Sequence, residues 1–479
     1  MKLKHLFLTA LVVGSLASCS KDDDGPNEPV YQQIDSYLSI TATPDNKTVT
    51  KGGTAEPGDP DREDGASNEQ TINNISAVVF YCDAAGTPSE LATIKKIDDP
   101  VVKEDGSIEI RDIKIKVAAQ EAGNISTTVL KLFLLANIEV ASNVTDYKTF
   151  STSYFKGIDE YDFNKVMKSG TEAQEVYLPM SSAGLVVKGL VAGTDYNNWV
   201  EANEKVVNTE KKENSTDELI KDTQNKYTNT ARIPLTRYVA RVQLESLTAN
   251  FDGNYENATF TLTQVSLANV SNASKYIALD NGSLQHVEMN GENYSREAFY
   301  RGFPVEINRA DYYLARGKYD KNIFSKSYGT INEGTATNGI EFTGKDAVTF
   351  KDKTDPKNDN TNEMAQFYVF EFQNIPMTAD LPDESNVAVT ANNINTMLII
   401  TGLWDNGYIK EERNFRIPIR HSNAENDYQI KRNYIYKVHA TLTGEGTPNP
   451  DKNMLNANVS FSIEVQPWVV IKQIETDVN

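Results

Sequence analysis

Between Val459 and Gln466 the residues Val459, Phe461, Ile463 and Val465 alternate with Ser460, Ser462, Glu464 and Gln466. Period two with one apolar face is the pattern of a β-strand covered on one side only. The pattern recurs along the chain in short runs: Tyr37–Thr43, Ile72–Cys82, Ile108–Val117, Thr127–Asn137, Glu175–Val187, Ala258–Leu267, Gln366–Phe372, Thr396–Leu403, Phe415–Ile419 and Tyr434–Leu442. Loops rich in Asn, Asp, Gly and Pro separate them. Short strands punctuated by turn signals predict a mainly β chain of antiparallel sheets with one solvated face. Its architecture is expected to be two β-sandwiches of transthyretin or Ig-like type, with short helices in insertions. Tyr147, Phe150, Tyr154, Phe155 and Phe163 have the helix-like spacing for one or two of these over Thr145–Lys168. There is no clean internal repeat.

A length of 479 residues and 39% apolar content allow two or three domains with real cores. The boundary is expected at Ala231, where Tyr238, Ala240, Val242 and Leu244 begin to share a face. The domains are then 37–230 and 231–479. The polar stretch Trp199–Tyr227 is a surface insertion. The net charge of −20 opposes nucleic acid as a partner, because phosphate binding needs a basic footprint.

The N-terminus carries a processing signal. Lys2 and Lys4 precede an apolar run over Leu6–Ala17, followed by Leu16-Ala17-Ser18-Cys19. This is a secretory signal peptide over 1–18, ending in a lipobox that makes Cys19 the lipid-bearing first residue. Two or more acyl chains of palmitate type anchor stably where one does not. Residues 19–36 form a lipidated tether. Its Ser20-Lys21-Asp22-Asp23-Asp24-Gly25 resembles the surface-export tag of Bacteroidetes lipoproteins. The remaining cysteine, Cys82, has no intrachain partner and closes an apolar strand, as a half-buried small hydrophobe does.

Behind the first strand, residues 44–70 are almost devoid of apolar groups after Val49 and contain Lys47, Lys51 and Arg62. An exposed stretch of this composition is where a trypsin-like protease cuts. The cut separates the strand bearing Leu38, Ile40 and Ala42 from the rest of the chain.

Signs of catalysis are lacking. The sequence has no HExxH, GxSxG, P-loop, GxGxxG or CxxC pattern. His421 and His439 fit a loop and a strand surface. Acidic runs at 59–64, 98–99 and 352–359 have no EF-hand spacing and read as solvated loops. The expectation is no enzyme, no metal and no cofactor. Trp199, Trp404 and Trp468 are the aromatics that could stack on a sugar.

Several segments together resemble the fimbrillins of Bacteroidetes, the type V pilins, particularly Mfa-type and FimA-like major subunits. They are LASCSK with SYLSIT close behind, ISAVVFY, VLKLFLLAN, LPMSSAG, LTRYVARVQLESL, RNYIYKVHATLTGEG and VSFSIEVQPWVV. The resemblance spans the chain. It implies a structural subunit of a surface pilus, exported to the outer membrane as a lipoprotein. Proteolysis removes the first strand, and another subunit's C-terminal strand region, 458–479, fills the apolar groove. Val459, Phe461, Ile463, Val465, Trp468 and Val470 are then donor residues. Either 459–465 enters the groove, or Trp468–Ile471 enters while 459–465 stays in the parent sheet. The family's cutter is typically arginine-specific. Distance from SYLSIT places Lys51 at the expected position, and Arg62 lies further along. The implied partners are further copies of the chain and related pilus subunits, with host or bacterial surface ligands in reserve. A tip adhesin or a glycan- or protein-binding surface lipoprotein is the alternative. At roughly 1.5–3 kcal/mol per fully buried large side chain, Val459, Phe461, Ile463 and Val465 form the stronger face, and Leu38, Ile40 and Ala42 about half of it.

Overall fold

The computed structural model describes residues 29–44, 71–103, 107–156, 177–193, 198–200, 206–208, 233–271, 273–277, 299–303, 318–319, 323–351, 362–372, 395–422, 428–448 and 458–467. Their regular elements are nearly all β-strands. The first set comprises β1 (Gln32–Pro44), β2 (Asn74–Cys82), β3 (Pro88–Asp98), β4 (Ile108–Ala119) and β5 (Val129–Ala136). A short helix α1 (Tyr147–Thr152) comes next. Then come β6 (Tyr154–Lys156), β7 (Met180–Ser181), β8 (Leu185–Lys188), β9 (Asn198–Val200), β10 (Val206–Asn208) and β11 (Ile233–Arg237). The second set comprises β12 (Val239–Ala249), β13 (Thr259–Ala268), β14 (Val270–Ser271), β15 (Ala273–Lys275), β16 (Phe299–Arg301), β17 (Lys318–Tyr319), β18 (Ser325–Ser327) and β19 (Gly329–Asn332). It continues with β20 (Thr335–Asn338), β21 (Ile340–Thr343), β22 (Ala347–Thr349), β23 (Gln366–Phe370), β24 (Met397–Asp405), β25 (Lys410–Pro418), β26 (Tyr434–Leu442) and β27 (Val459–Pro467).

The first set, β6 apart, forms a ten-stranded sheet ordered β10-β9-β1-β11-β7-β5-β2-β3, with β4 on β1 and β8 on β5. Its inward residues meet in one core. Leu38, Ile40 and Ala42 of β1 and Ile108, Ile110, Ile113, Ile115 and Val117 of β4 pack with Ile75, Ala77 and Val79 of β2 and Leu130, Leu132 and Leu134 of β5. A second core lies between two five-stranded sheets, β22-β12-β26-β27 with β23, and β18-β13-β24-β25 with β21.

The passage between the cores falls later than the sequence pattern suggests. β11 pairs with β1 and β7 of the first sheet, whereas β12 pairs with β22, β23 and β26 of the second. The chain changes sheets at Tyr238, not at Ala231. Tyr238 is wholly buried and sits under the Arg432 guanidinium, 4.6 Å from its ring centre. Arg432 Nε donates to Glu371 Oε2 at 2.7 Å, Nη2 donates to Glu371 Oε1, Ser274 Oγ and the Lys275 carbonyl, and Nη1 reaches Ser181 Oγ on β7. A buried ion pair of this kind is tolerable only because its hydrogen-bonding capacity is met. The pairing of β15 with β6 and the Phe150–Tyr276 ring contact cross the same junction.

Two further differences have simple causes. β3 has mixed apolar and polar residues because it is the outermost strand beyond β2, so its period is blurred. Of the helices expected over Thr145–Lys168, the described residues contain α1 alone. Asp146 caps it, accepting the Thr149 N–H at 2.7 Å.

Candidate functional site

β1 is not an edge strand. On one side it pairs antiparallel with β4 from Gln32↔Ala119 to Ala42↔Ile108. On the other, Gly193 N–H donates to the Asp35 carbonyl at 2.7 Å, Leu38 and Ser39 run parallel to β9, and Ala42–Pro44 run parallel to Ile233–Leu235 of β11. The inward face is sealed, with Leu38, Ile40 and Ala42 each at 0% exposure. Ser36 faces the same way, and its hydroxyl donates to the Val191 carbonyl at 2.8 Å.

β4 changes face beside β1 by means of a bulge. Leu38 faces Ile113, but Ile40 faces Ile110, so β4 spends three residues where β1 spends two. Asp112 takes a left-handed φ of 56° there, and its N–H donates to Ser39 Oγ at 3.4 Å. An extra residue reverses the facing parity between the two sides of the bulge. That is why Ile108 and Ile110 share the inward face with Ile113, Ile115 and Val117.

The outward face of β1 is tied down by charge. Asp35 Oδ2 meets Lys114 Nζ at 2.8 Å and Oδ1 meets Lys116 Nζ at 3.2 Å. Hydrogen bonds from Lys114 and then Lys116 hold its carboxyl below the usual aspartate range.

β27 has a different setting. Its residues pair one for one with β26, from Leu442↔Val459 to Tyr434↔Pro467, and it ends its sheet. Val459, Phe461, Ile463 and Val465 lie against their own domain's core and are only half-buried. Arg420 lies 5.5 Å from the Phe461 ring centre. Trp468 and Val470, the other expected donor residues, lie outside the described residues, as do Cys19, Lys51 and Arg62.

The strands from Ser36 in β1 to Arg237 in β11, β6 apart, form one sheet, and this span has relatives. Residues 36–237 match the family of major fimbrial subunit proteins, FimA. The motif-level resemblance to fimbrillins is met over this segment. No curated protein matches the chain in sequence. In fold, the chain is similar to a fimbrilin (FimA) of Porphyromonas gingivalis W83, with a TM-score of 0.50 and 15% identity over 91% of this chain and 99% of that one. It is also similar to a protein of Parabacteroides distasonis ATCC 8503 named for an inferred role in cell adhesion, with a TM-score of 0.56 and 18% identity over 91% and 100%. At these identities the likeness is one of fold, and it extends well beyond the FimA-matched segment.

The other residues singled out in the sequence sort by burial. Trp404 is wholly buried, edge-on to Phe251 and Tyr255, which removes it as a sugar platform. Trp199 lies in β9, opposite Val207. His421 shares a hydrogen bond with Tyr436 at 3.0 Å and His439 one with Ser246 at 2.9 Å. Within the FimA-matched segment, Cys82 is half-buried, and burial pushes its thiol up to about 11, so it is protonated and unreactive. Among the described residues no cluster of His, Cys, Asp or Glu could hold a metal ion.

One exposed aromatic has no counterpart among the sequence candidates. Tyr408, 98% exposed, sits at the β24–β25 turn, where Asn406 Oδ1 accepts the Tyr408 and Ile409 N–H groups and Asp405 Oδ1 accepts that of Gly407. The Asp-Asn-Gly-Tyr run is a turn signal. Only the fold puts the buried tryptophan and the exposed tyrosine on opposite ends of it.

Proposed function

We propose that this chain is a structural subunit of a surface pilus. It is exported as an outer-membrane lipoprotein through Cys19, trimmed at Lys51 or Arg62, and polymerised by exchange of β1 for a strand of another subunit. The observation that carries the reading is the setting of β1. It is a central strand with a sealed apolar face, yet its only covalent tie onward runs through the stretch holding Lys51 and Arg62. A cut there leaves β1 held by non-covalent bonds alone, so a competing strand can replace it. The sheets on either side of Tyr238 act as the two sandwich domains of this scheme, and 458–479 as the donor region. The role is mechanical, with no catalysis and no cofactor. A shaft subunit fits better than a tip, because a C-terminal donor strand is present, and better than an anchor, because the stretch behind β1 is cleavable.

The test is to cut the soluble protein, lacking residues 1–19, with an arginine-specific protease and separately with a lysine-specific one. Trimmed protein should form detergent-resistant ladders, and deletion of 459–479 should abolish them while leaving a soluble monomer. Trimmed full-length protein that stays monomeric under both proteases would sink the reading.

One observation favours the adhesin alternative. Tyr408 is a fully exposed aromatic on a turn held by side-chain hydrogen bonds, a form suited to stacking on a sugar or a protein surface. Glycan-array binding by the untrimmed monomer, lost in Tyr408→Ala, would support it.

A further inference from the structure

The register of β1 turns its N-terminal half into a set of side-chain requirements. Gln32 and Gln33 are exposed. Ile34 packs against the core from a partly buried position. Asp35 points outward between Lys114 and Lys116. Ser36 points inward and must donate a hydroxyl to the Val191 carbonyl. Tyr37 stands opposite Lys114, and Leu38 is wholly buried opposite Ile113.

The same order of side-chain types is written near the other end of the sequence. Gln33-Ile34-Asp35-Ser36-Tyr37-Leu38-Ser39 has its counterpart in Gln473-Ile474-Glu475-Thr476-Asp477-Val478-Asn479, and upstream Val30 corresponds to Val470. Each requirement is met in turn: an aliphatic residue, a carboxylate, a hydroxyl, an outward residue, an aliphatic residue. We propose that Val470–Asn479 of one copy of the chain takes the place of Val30–Ser39 in the next, in the same chain direction and the same register. This rests on the strand-exchange reading and adds which residues go where. Glu475 takes over the lysine pair from Asp35. Thr476 takes over the Val191 carbonyl from Ser36. Val478 fills the place of Leu38. Asp477 stands opposite Lys114, so two carboxylates face two lysines.

Other registers fail on this chain's own residues. A shift of one residue turns Glu475 and Asp477 into the core. A shift of two in one direction puts the Lys472 ammonium at the inward position of Ile34, and burying an unpaired charge is costly. A shift of two in the other direction puts Val478 at the place of Ser36, where it cannot supply the hydroxyl that bonds the Val191 carbonyl. The match covers the half of the slot where β1 begins, up to the place of Ser39. The lysine pair also has a kinetic use. The chain carries a net charge of −20, so subunits repel, and loss of Asp35 leaves a local cationic rim that attracts an acidic strand.

Register can be read by cross-linking. Asp35 and Lys116 are directly opposed, as are Tyr37 and Lys114. Opposed residues of an antiparallel ladder lie about 4.5–5.5 Å apart, within disulfide reach of roughly 4.4–6.8 Å. In the soluble chain with Cys82→Ser, trimmed by an arginine-specific protease so that Lys472 stays intact, Lys116→Cys with Glu475→Cys should give covalent ladders on oxidation. Lys114→Cys with Asp477→Cys should do the same. Lys116→Cys with Gln473→Cys should give few. Separately, Glu475→Lys should slow ladder growth about tenfold at low salt, fading at high ionic strength, and Lys114→Glu with Lys116→Glu should restore the rate. Ladders that assemble but cross-link equally at every pair, or at other positions, overturn this register and leave strand exchange standing. Trimmed protein that never assembles overturns both.

Discussion

β1 and β27 are both long strands near the ends of the chain, but the fold treats them in opposite ways. β1 is paired along both edges, and Leu38, Ile40 and Ala42 of its apolar face are wholly buried, with Ile34 partly so. β27 has the larger residues, is paired along one edge, and its apolar face is half-buried. Ranking the two by residue size, as the sequence invites, makes β27 the stronger face. Area removed from water and ladder bonds made on both sides rank β1 first within the chain. Position in the sheet outweighs the volume of the side chain.

The largest expected effect comes from taking each strand away. A chain without residues 1–70 should lose the cooperative unfolding of the FimA-matched segment and bind a hydrophobic dye, because the face lined by Ile110, Ile113 and Leu132 is opened to water. A chain ending at Asn458 should keep that segment's unfolding transition. Equal losses in both chains, followed by urea unfolding, would break the comparison.

Single substitutions sharpen it. Ile40→Ala should cost about 2–5 kcal/mol, and Ile463→Ala clearly less than Ile40→Ala, since its site is partly wet. Ser36→Ala should cost roughly 1 kcal/mol, the net worth of one buried hydrogen bond. Denaturant midpoints measured on the untrimmed protein decide both.

The smallest effect is one of pH. Asp35 has a lowered pKa in the folded state. Its stabilisation of β1 is therefore complete above the unfolded value, about 3.9, and is lost as pH falls through the lowered folded value. In protein cut behind β1, release of the β1 peptide should quicken below about pH 4. Asp35→Asn should remove that dependence while changing the release rate at neutral pH only about threefold, since exposed ion pairs are weak. A release rate with the same acid limb in Asp35→Asn would show that another carboxylate controls the seat.

Much of this architecture is legible in the sequence because strand periodicity is local. Tyr434–Leu442 has its expected bounds, and Ile72–Cys82, Thr127–Asn137 and Thr396–Leu403 shift by a residue or two. The illegible parts depend on neighbours distant in sequence. β3 gives no clear signal because an outermost strand need not alternate cleanly. The Asp112 bulge shows in the sequence only as a three-residue step from Ile110 to Ile113 between isoleucines otherwise two apart. Trp404 has the look of a surface aromatic until Phe251 and Tyr255 close over it.

The sequence alone determined that this chain folds as β-sheets, that its N-terminus has the form of a lipoprotein leader, and that a polar stretch holding Lys51 and Arg62 follows the first strand. These are properties of composition and of residues close together along the chain. The sequence did not show that β1 pairs in parallel with β9 and β11. Only the tertiary structure decided that β1 lies inside its sheet and β27 at the margin of another, and that Asp35 and Ser36 answer to Lys114, Lys116 and Val191. A strand's own residues say which face is apolar, but the number of edges it shares and the groups opposite each side chain are set by partners that only folding brings together.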